Sequence, residues 1–148
     1  MPKILIATDH AGFELKEKII VFLKTLGYEV KDFGAYSYNP KDDYPDFMIP
    51  LAEEVSKDLE AKGIILGGSG QGEAIVANRF KKVRCAVYYG GDLRIINFSR
   101  EHNDANILSL GARFLSFGEA KDAIKIWLET PFSNEIRHIS RIEKIDNI

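Results

Sequence analysis

The sequence predicts an α/β fold: a three-layer α/β/α sandwich around a Rossmann-like, open parallel five-stranded sheet. Three observations carry this. Short apolar runs alternate along the chain with longer segments whose apolar residues recur at helical spacing. Each segment between runs is long enough to cross over the sheet, as parallel neighbours require. Polar residues with chemical capacity follow the runs directly, at Asp9-His10, at 68–73 and at 111–113. In this architecture the carboxyl ends of the strands form one rim, where ligands bind.

The first strand is Ile4–Thr8. Over 14–26 the residues Leu15, Ile19, Ile20, Phe22, Leu23 and Leu26 keep helical spacing, and Gly27 supplies a stop. A second strand is expected at 28–33, then a polar, proline-containing loop at 39–45 and a helix over 47–57. The third strand is 63–66, and its helix begins at Glu73 and runs to about Phe80. Cys85–Tyr88 is the fourth strand, with a helix over 93–101. Residues 106–110 form the fifth, and 119–129 a helix with Trp127 on its apolar side. The tail, 133–148, reads as a further helix carrying Arg137 and Arg141 four positions apart. Without repeats, low-complexity tracts or an internal linker, residues 1–148 are expected to form a single domain.

Composition narrows the function. An apolar content of 45% suits a globular protein, and a net charge of −2 offers no electrostatic footprint for nucleic acid or membrane. No apolar stretch is long enough to span a bilayer, and the amino-terminal residues lack the pattern of a secretory signal. The single cysteine, Cys85, can form no internal disulfide. A cytoplasmic protein is expected.

The stretch 63–79, GIILGGSGQGEAIVANR, holds the strongest chemical signal. A strand runs into Gly68-Ser69-Gly70-Gln71-Gly72 and then a helix start, a layout in which free backbone N–H groups converge on an anion. A nucleoside-triphosphate loop would end in Gly-Lys-Ser/Thr, and a dinucleotide fingerprint would read G-x-G-x-x-G after the first strand. Neither is present, so no nucleotide cofactor is implied. What stands behind the loop is a carboxylate, Glu73, which a phosphate cradle does not need and a proton-transfer site does. The amides of Gly70, Gln71 and Gly72 are candidate donors to an oxyanion. The alternative for Glu73 is a favourable charge in a first helical turn. Arg137 and Arg141, one turn apart, can converge on one phosphate, or else form a solvated face paired with Glu135 and Glu143. His102 and Asn103 precede the fifth strand and should lie at the opposite end from Glu73. They can most simply join it from a second subunit.

The chain resembles the ribose-5-phosphate isomerase B family, which includes the galactose-6-phosphate and allose-6-phosphate isomerases. The resemblance covers nearly the full length. It rests on Thr8-Asp9-His10-Ala11-Gly12, Asp43-Tyr44-Pro45, Gly68-Ser69-Gly70-Gln71-Gly72 with Ala77-Asn78-Arg79, residues 99–106, and Arg137-His138-x-x-Arg141. It implies aldose–ketose isomerisation of a sugar phosphate, with neither metal nor organic cofactor, in a homodimer with shared sites, or a tetramer. Ribose 5-phosphate is the expected substrate, with a six-carbon sugar phosphate as the alternative. A non-catalytic sugar-phosphate-binding module is a weaker reading, since it would not need both Glu73 and His102. A receiver-like signalling domain would want an aspartate ending strand three, where Gly67-Gly68 stand.

Residue by residue, the resemblance implies that Glu73 is the isomerisation base and that His102 opens the sugar ring, with Asn103 on sugar hydroxyls. Ser69 and the loop from Gly68 to Gly72 contact substrate, and Tyr44 and Arg113 line the site. His10, Arg137 and Arg141 hold phosphate. Asp9 either assists ring opening or orients His10. In one respect the chain departs from many members, which carry a catalytic cysteine where this sequence has Gly67. A second branch uses a Glu after the glycine loop, and Glu73 matches that branch.

Overall fold

The computed structural model describes residues 2–148. Its elements are β1 (Ile4–Thr8), a 3-10 turn (His10–Gly12), α1 (Phe13–Thr25), β2 (Val30–Asp32), α2 (Pro45–Lys57) and β3 (Lys62–Gly67). There follow α3 (Gln71–Ala77), β4 (Cys85–Tyr88), α4 (Arg94–Glu101), β5 (Ile107–Gly111), α5 (Phe117–Glu129) and α6 (Ile136–Asp146). The five strands pair in parallel in the order β2-β1-β3-β5-β4. This is the α/β/α sandwich the alternation predicts.

Topology sets the layers. From β1 the chain steps one way to β2; from β3 it steps the other way to β4 and returns to β5. Right-handed crossovers then place α1 and α4 on one face and α2 and α3 on the other, with α5 beside α1 and α4. Side chains along each strand divide accordingly. Ile4, Ile6, Ile64, Leu66, Leu108 and Leu110 pack with Ile19, Leu23, Ile124 and Trp127. Leu5, Ala7, Ile65 and Ile107 face Met48, Leu51 and Val55. Both faces are covered, which is why the central strands read as nearly continuous apolar runs rather than alternating, with Thr8 and Ser109 as buried polar exceptions. Trp127 is core, as its helical position suggested.

Several boundaries differ from expectation for local reasons. β2 is shorter than 28–33 because it is an edge strand registered only against Ile4, Leu5 and Ile6. The amide of Tyr28 instead bonds Leu23 O at the end of α1. α2 starts earlier, at Pro45, since proline suits the first helical turn, where no donor is needed. α3 begins two residues before Glu73 and ends at Ala77, short of Phe80. α5 also starts early, through a capping box in which Ser116 and Glu119 each bond the other's backbone amide. α6 is shorter than 133–148. Among the described residues no helix is long and apolar enough to cross a membrane.

The reversal of direction falls between β1 and β3, so the crevice of the fold opens at their carboxyl ends. Thr8 pairs with Leu66, and Gly67 pairs with Gly111 of β5. The loop leaving β2 is tied down at the same rim. Fully buried Lys16 donates to both Asp32 carboxylate oxygens (2.8 and 2.9 Å) and to Ala35 O (2.9 Å). That anchor precedes the segment bearing Asp42 and Tyr44.

Candidate active site

Gly67 ends β3, and the Glu73 carboxylate lies directly upon it. A Cβ at Gly67 would fall inside that carboxylate, overlapping Oε1, Cδ and Oε2. The missing thiol and the present carboxylate are therefore one feature: the acid occupies the space of the absent side chain. Glu73 is buried (4% exposed) on the third residue of α3. Burial pushes its pKa up, and the nearby Asp9 charge pushes it further; the amides of Glu73 itself and Gly70 pull it partly back. Desolvation thus outweighs the helix-terminal environment, the balance a general base needs.

The glycine loop is held from below. Gly70 adopts a left-handed conformation (φ 78°), and the Ser109 hydroxyl donates to its carbonyl at 2.6 Å. Ser69 Oγ accepts the Gln71 amide at 3.3 Å, and Gly70 caps α3 without a side-chain bond. So Ser69 does form a turn, the structural role open to it, while staying partly exposed at the rim. Of the three amides expected to meet an oxyanion, Gly70's is directed at Glu73 and Gln71's at Ser69. Gly72's has no hydrogen-bond partner among the described residues. Tyr44 leans over that point, its Cζ and Oη each 2.6 Å from where a Gly72 Cβ would be. Arg113 reaches over Gly68, its Nη1 3.1 Å from the corresponding position there.

Asp9 completes this half. It is buried (7% exposed) and caps the 3-10 turn by accepting the Ala11 amide at 2.9 Å. Burial raises its pKa most; Ala11, His10 and Arg113 oppose this, and Asp42 adds to it. Asp9 makes no hydrogen bond to His10 among the described residues; the bonds to the His10 ring and amide come from Asp42. Asp42 Oδ1 accepts from the His10 ring Nδ1 at 2.6 Å and from the His10 amide at 3.1 Å. Sequence reasoning missed Asp42, which lies 32 positions from His10 and carries no local signal beyond its place beside the Asp43-Tyr44-Pro45 motif. Donor atoms of Asp9, His10 and Asp42 lie within 4.8 Å of one another, a convergence that chain spacing did not reveal. Within the trio, His10 Nδ1 and Asp42 Oδ1 are joined to each other by a hydrogen bond.

The remaining expected residues gather elsewhere. His102 caps the carboxyl end of α4, ahead of β5, while Glu73 sits at the far end of the parallel strands. Its ring is stacked between Phe98 (5.0 Å) and His138 (4.5 Å). Burial lowers the pKa of His138, as do Arg137, His102 and Arg141; Glu135 opposes them. Glu135 Oε2 lies 3.1 Å from His138 Nε2, though not at a hydrogen-bonding angle, and also bonds Arg137 at 3.1 Å. Arg137 and Arg141 are exposed. The α6 helix that bears them is pinned at its other end, where Arg84 bonds Asp146 twice at 3.0 Å and takes the Asn103 and Asp104 carbonyls. Asn103 lines a cavity of about 360 Å³ with Asn78, Arg84, Cys85 and Ser99. One chain therefore carries the expected residues in two separate clusters: Asp9, His10, Tyr44, residues 68–73 and Arg113 at one rim, and His102, Asn103, Arg137 and Arg141 at the other.

Known proteins resemble the chain over nearly its whole length. The family model described as Ribose/Galactose Isomerase matches residues 4–145. The chain is 40% identical over 141 residues to ribose-5-phosphate isomerase B of Mycolicibacterium paratuberculosis, covering 95% of this chain and 87% of that protein. Among solved structures, ribose-5-phosphate isomerase B from Mycoplasma genitalium with bound ribulose-5-phosphate superposes with a TM-score of 0.93. The two share 35% identity, over 98% of this chain and 94% of that one. The Clostridium thermocellum ribose-5-phosphate isomerase B is 44% identical with a TM-score of 0.90, over 98% and 95%. A match across this span makes the chain a member of the ribose/galactose isomerase family.

Proposed function

We propose that the chain interconverts ribose 5-phosphate and ribulose 5-phosphate, with Glu73 as the base. The observation that carries the reading is the buried Glu73 carboxylate seated on Gly67, its pKa raised, in a family whose relatives bear this activity in their names. Once the ring is open, Glu73 takes the proton from C2. The C2–H electron pair forms a C1=C2 bond while the C1 carbonyl becomes an oxyanion. The Gly72 amide is the free donor for that charge. Transfer of the O2 proton to O1 and return of the Glu73 proton to C1 leave a C2 ketone and balance the reaction. General-base catalysis of this kind typically contributes about 10²–10⁴-fold.

Ring opening is assigned to His102 of a second subunit, and phosphate binding to His10 with that subunit's Arg137 and Arg141. A two-fold partner would deliver the second rim to the first, making the working unit a dimer. Exposed Ile75, Tyr89, Ile95 and Phe98 supply apolar surface for such a contact. Asn103 and Arg113 are substrate contacts in this scheme, and Asp9 is the acid or base nearest Glu73.

A coupled assay with ribose 5-phosphate, allose 6-phosphate and galactose 6-phosphate tests the substrate; turnover highest with either six-carbon sugar would replace the ribose reading. Subunit mixing tests the dimer. Glu73→Gln and His102→Ala, each inactive alone, should recover about one quarter of wild-type specific activity at equal mixing, since half the dimers are mixed and each has one intact site. Exchange confirmed by mass without recovery would refute either the shared site or the role of His102.

A further inference from the structure

We propose that Asp42 is a positioning residue that acts through His10, fixing the ring so that Nε2 is the nitrogen offered to the substrate. Two bonds converge on one oxygen: Asp42 Oδ1 takes the His10 ring Nδ1 at 2.6 Å and the His10 amide at 3.1 Å. An ionised carboxylate only accepts, so Nδ1 must be the protonated nitrogen. The tautomer is thereby set by a residue that need not touch substrate. The carboxylate is committed to this task. The Asp42 side chain is only 9% exposed, and its Oδ2 is buried without a hydrogen-bond partner.

The ring is also walled in. His10 lines a cavity of about 410 Å³ with Ala11, Phe13, Glu14, Tyr38 and Arg113, and Tyr38 stands edge-on to it at 6.4 Å. Asp9, Asp42, Glu14 and Arg113 are the charged groups around it. With Nδ1 donating to Asp42, Nε2 is the nitrogen left beside Arg113 in that cavity, where it accepts from a substrate hydroxyl or, once it too carries a proton, donates to an anionic oxygen. The same bond clamps the loop after β2 onto the turn after β1. One carboxylate therefore orders both His10 and the approach to Tyr44.

The magnitude expected is that of one charge-assisted hydrogen bond, about 10- to 100-fold in substrate binding. This rests on the isomerase reading only for its kinetic arm. Asp42→Ala should raise KM for ribose 5-phosphate by about 10- to 100-fold while kcat changes by less than about threefold. His10→Ala should do the same, and the double variant should match His10→Ala within about twofold, because Asp42 works through the ring. Asp42→Asn keeps an oxygen acceptor and should recover most of the affinity. If Asp42→Ala does not fold, the smaller KM rise of Asp42→Asn must likewise vanish in the His10→Ala background.

¹⁵N-histidine NMR of the free protein supplies the readout that mere loop support would not move. Wild-type His10 should be Nδ1-protonated, and the Asp42 variant lacking the acceptor should lose that preference. An unchanged tautomer, or additive losses in the double variant, would overturn the proposal. So would loss of activity with a chelator and its return with a divalent cation, which would assign Asp9, His10 and Asp42 to a metal. If the wild type fails to isomerise ribose 5-phosphate, the function is wrong, yet the NMR arm still decides the dyad.

Discussion

Gly67→Cys is the sharpest test of the site, because the structure fixes where the new atom must go. Its Cβ would overlap both oxygens and the carboxyl carbon of Glu73. The backbone cannot yield, since β3 is central and paired with β1 and β5 at this end. The Glu73 side chain must therefore leave its seat by more than an ångström. Misplacement on that scale costs about 10²-fold in rate, and overpacking a buried site costs about 1–3 kcal/mol, roughly 3–10 °C in Tm for a chain of this length. Adding Glu73→Ala should relieve the overlap and restore Tm, so the two changes should be strongly non-additive in stability. It also leaves a thiol where the carboxylate stood, the arrangement implied for cysteine-bearing relatives, and some isomerase activity should return. The checks are thermal unfolding and ribulose 5-phosphate formation. Gly67→Cys with wild-type kcat and Tm would refute the seating of Glu73 and its role as base together.

Glu73→Gln should lower kcat by at least about 10²-fold with little change in KM. The same variant should be more stable than wild type at neutral pH. The folded-state pKa of Glu73 is raised, so the stability it contributes is fully present below its unfolded value and is lost as pH rises through the folded one. The Tm advantage of the variant should therefore grow from acid toward neutral pH, and a flat or reversed trend in a pH series of melts would count against a desolvated carboxylate. Thiol reagents should leave activity intact: burial and the Glu73 charge push the Cys85 thiol up, disfavouring the reactive thiolate. Substrate-protected inactivation by iodoacetamide in protein that remains folded would contradict this.

Much of the fold was legible because its signals are local. Apolar runs and helical periodicity mark all five strands and all six helices, and the rim residues follow from strand order alone. The errors were at ends, where a cap or an edge decides. Pro45 and Ser116 start their helices earlier than periodicity suggests, and β2 is an edge strand registered against only three residues of β1. In the site, Glu73, Asp9, His10, Tyr44 and Arg113 do meet at one rim. What stayed hidden is non-local. Asp42 finds His10, and Lys16 finds Asp32 and Ala35, through contacts that periodicity does not encode. His138 stood inside a recognised motif, yet its stacking against His102 is visible only once α6 packs beside α4.

The two rims divide the labour by charge. At the first, Asp9 and Glu73 are both buried, and the Asp9 charge adds to burial in raising the pKa of Glu73. At the second, Arg137 and Arg141 supply positive charge that, with burial, lowers the pKa of His138, and Glu135 is the nearby opposing acid. Buried carboxylates thus mark the first rim and arginines the second. In the proposed dimer one chain's acidic rim would meet another chain's basic rim, and a sugar phosphate between them would place its anionic end toward the arginines and its C1–C2 end toward Glu73. In that scheme the polarity of the substrate follows from the polarity of the two rims, with His10 and Arg113 as the further contacts that orient it.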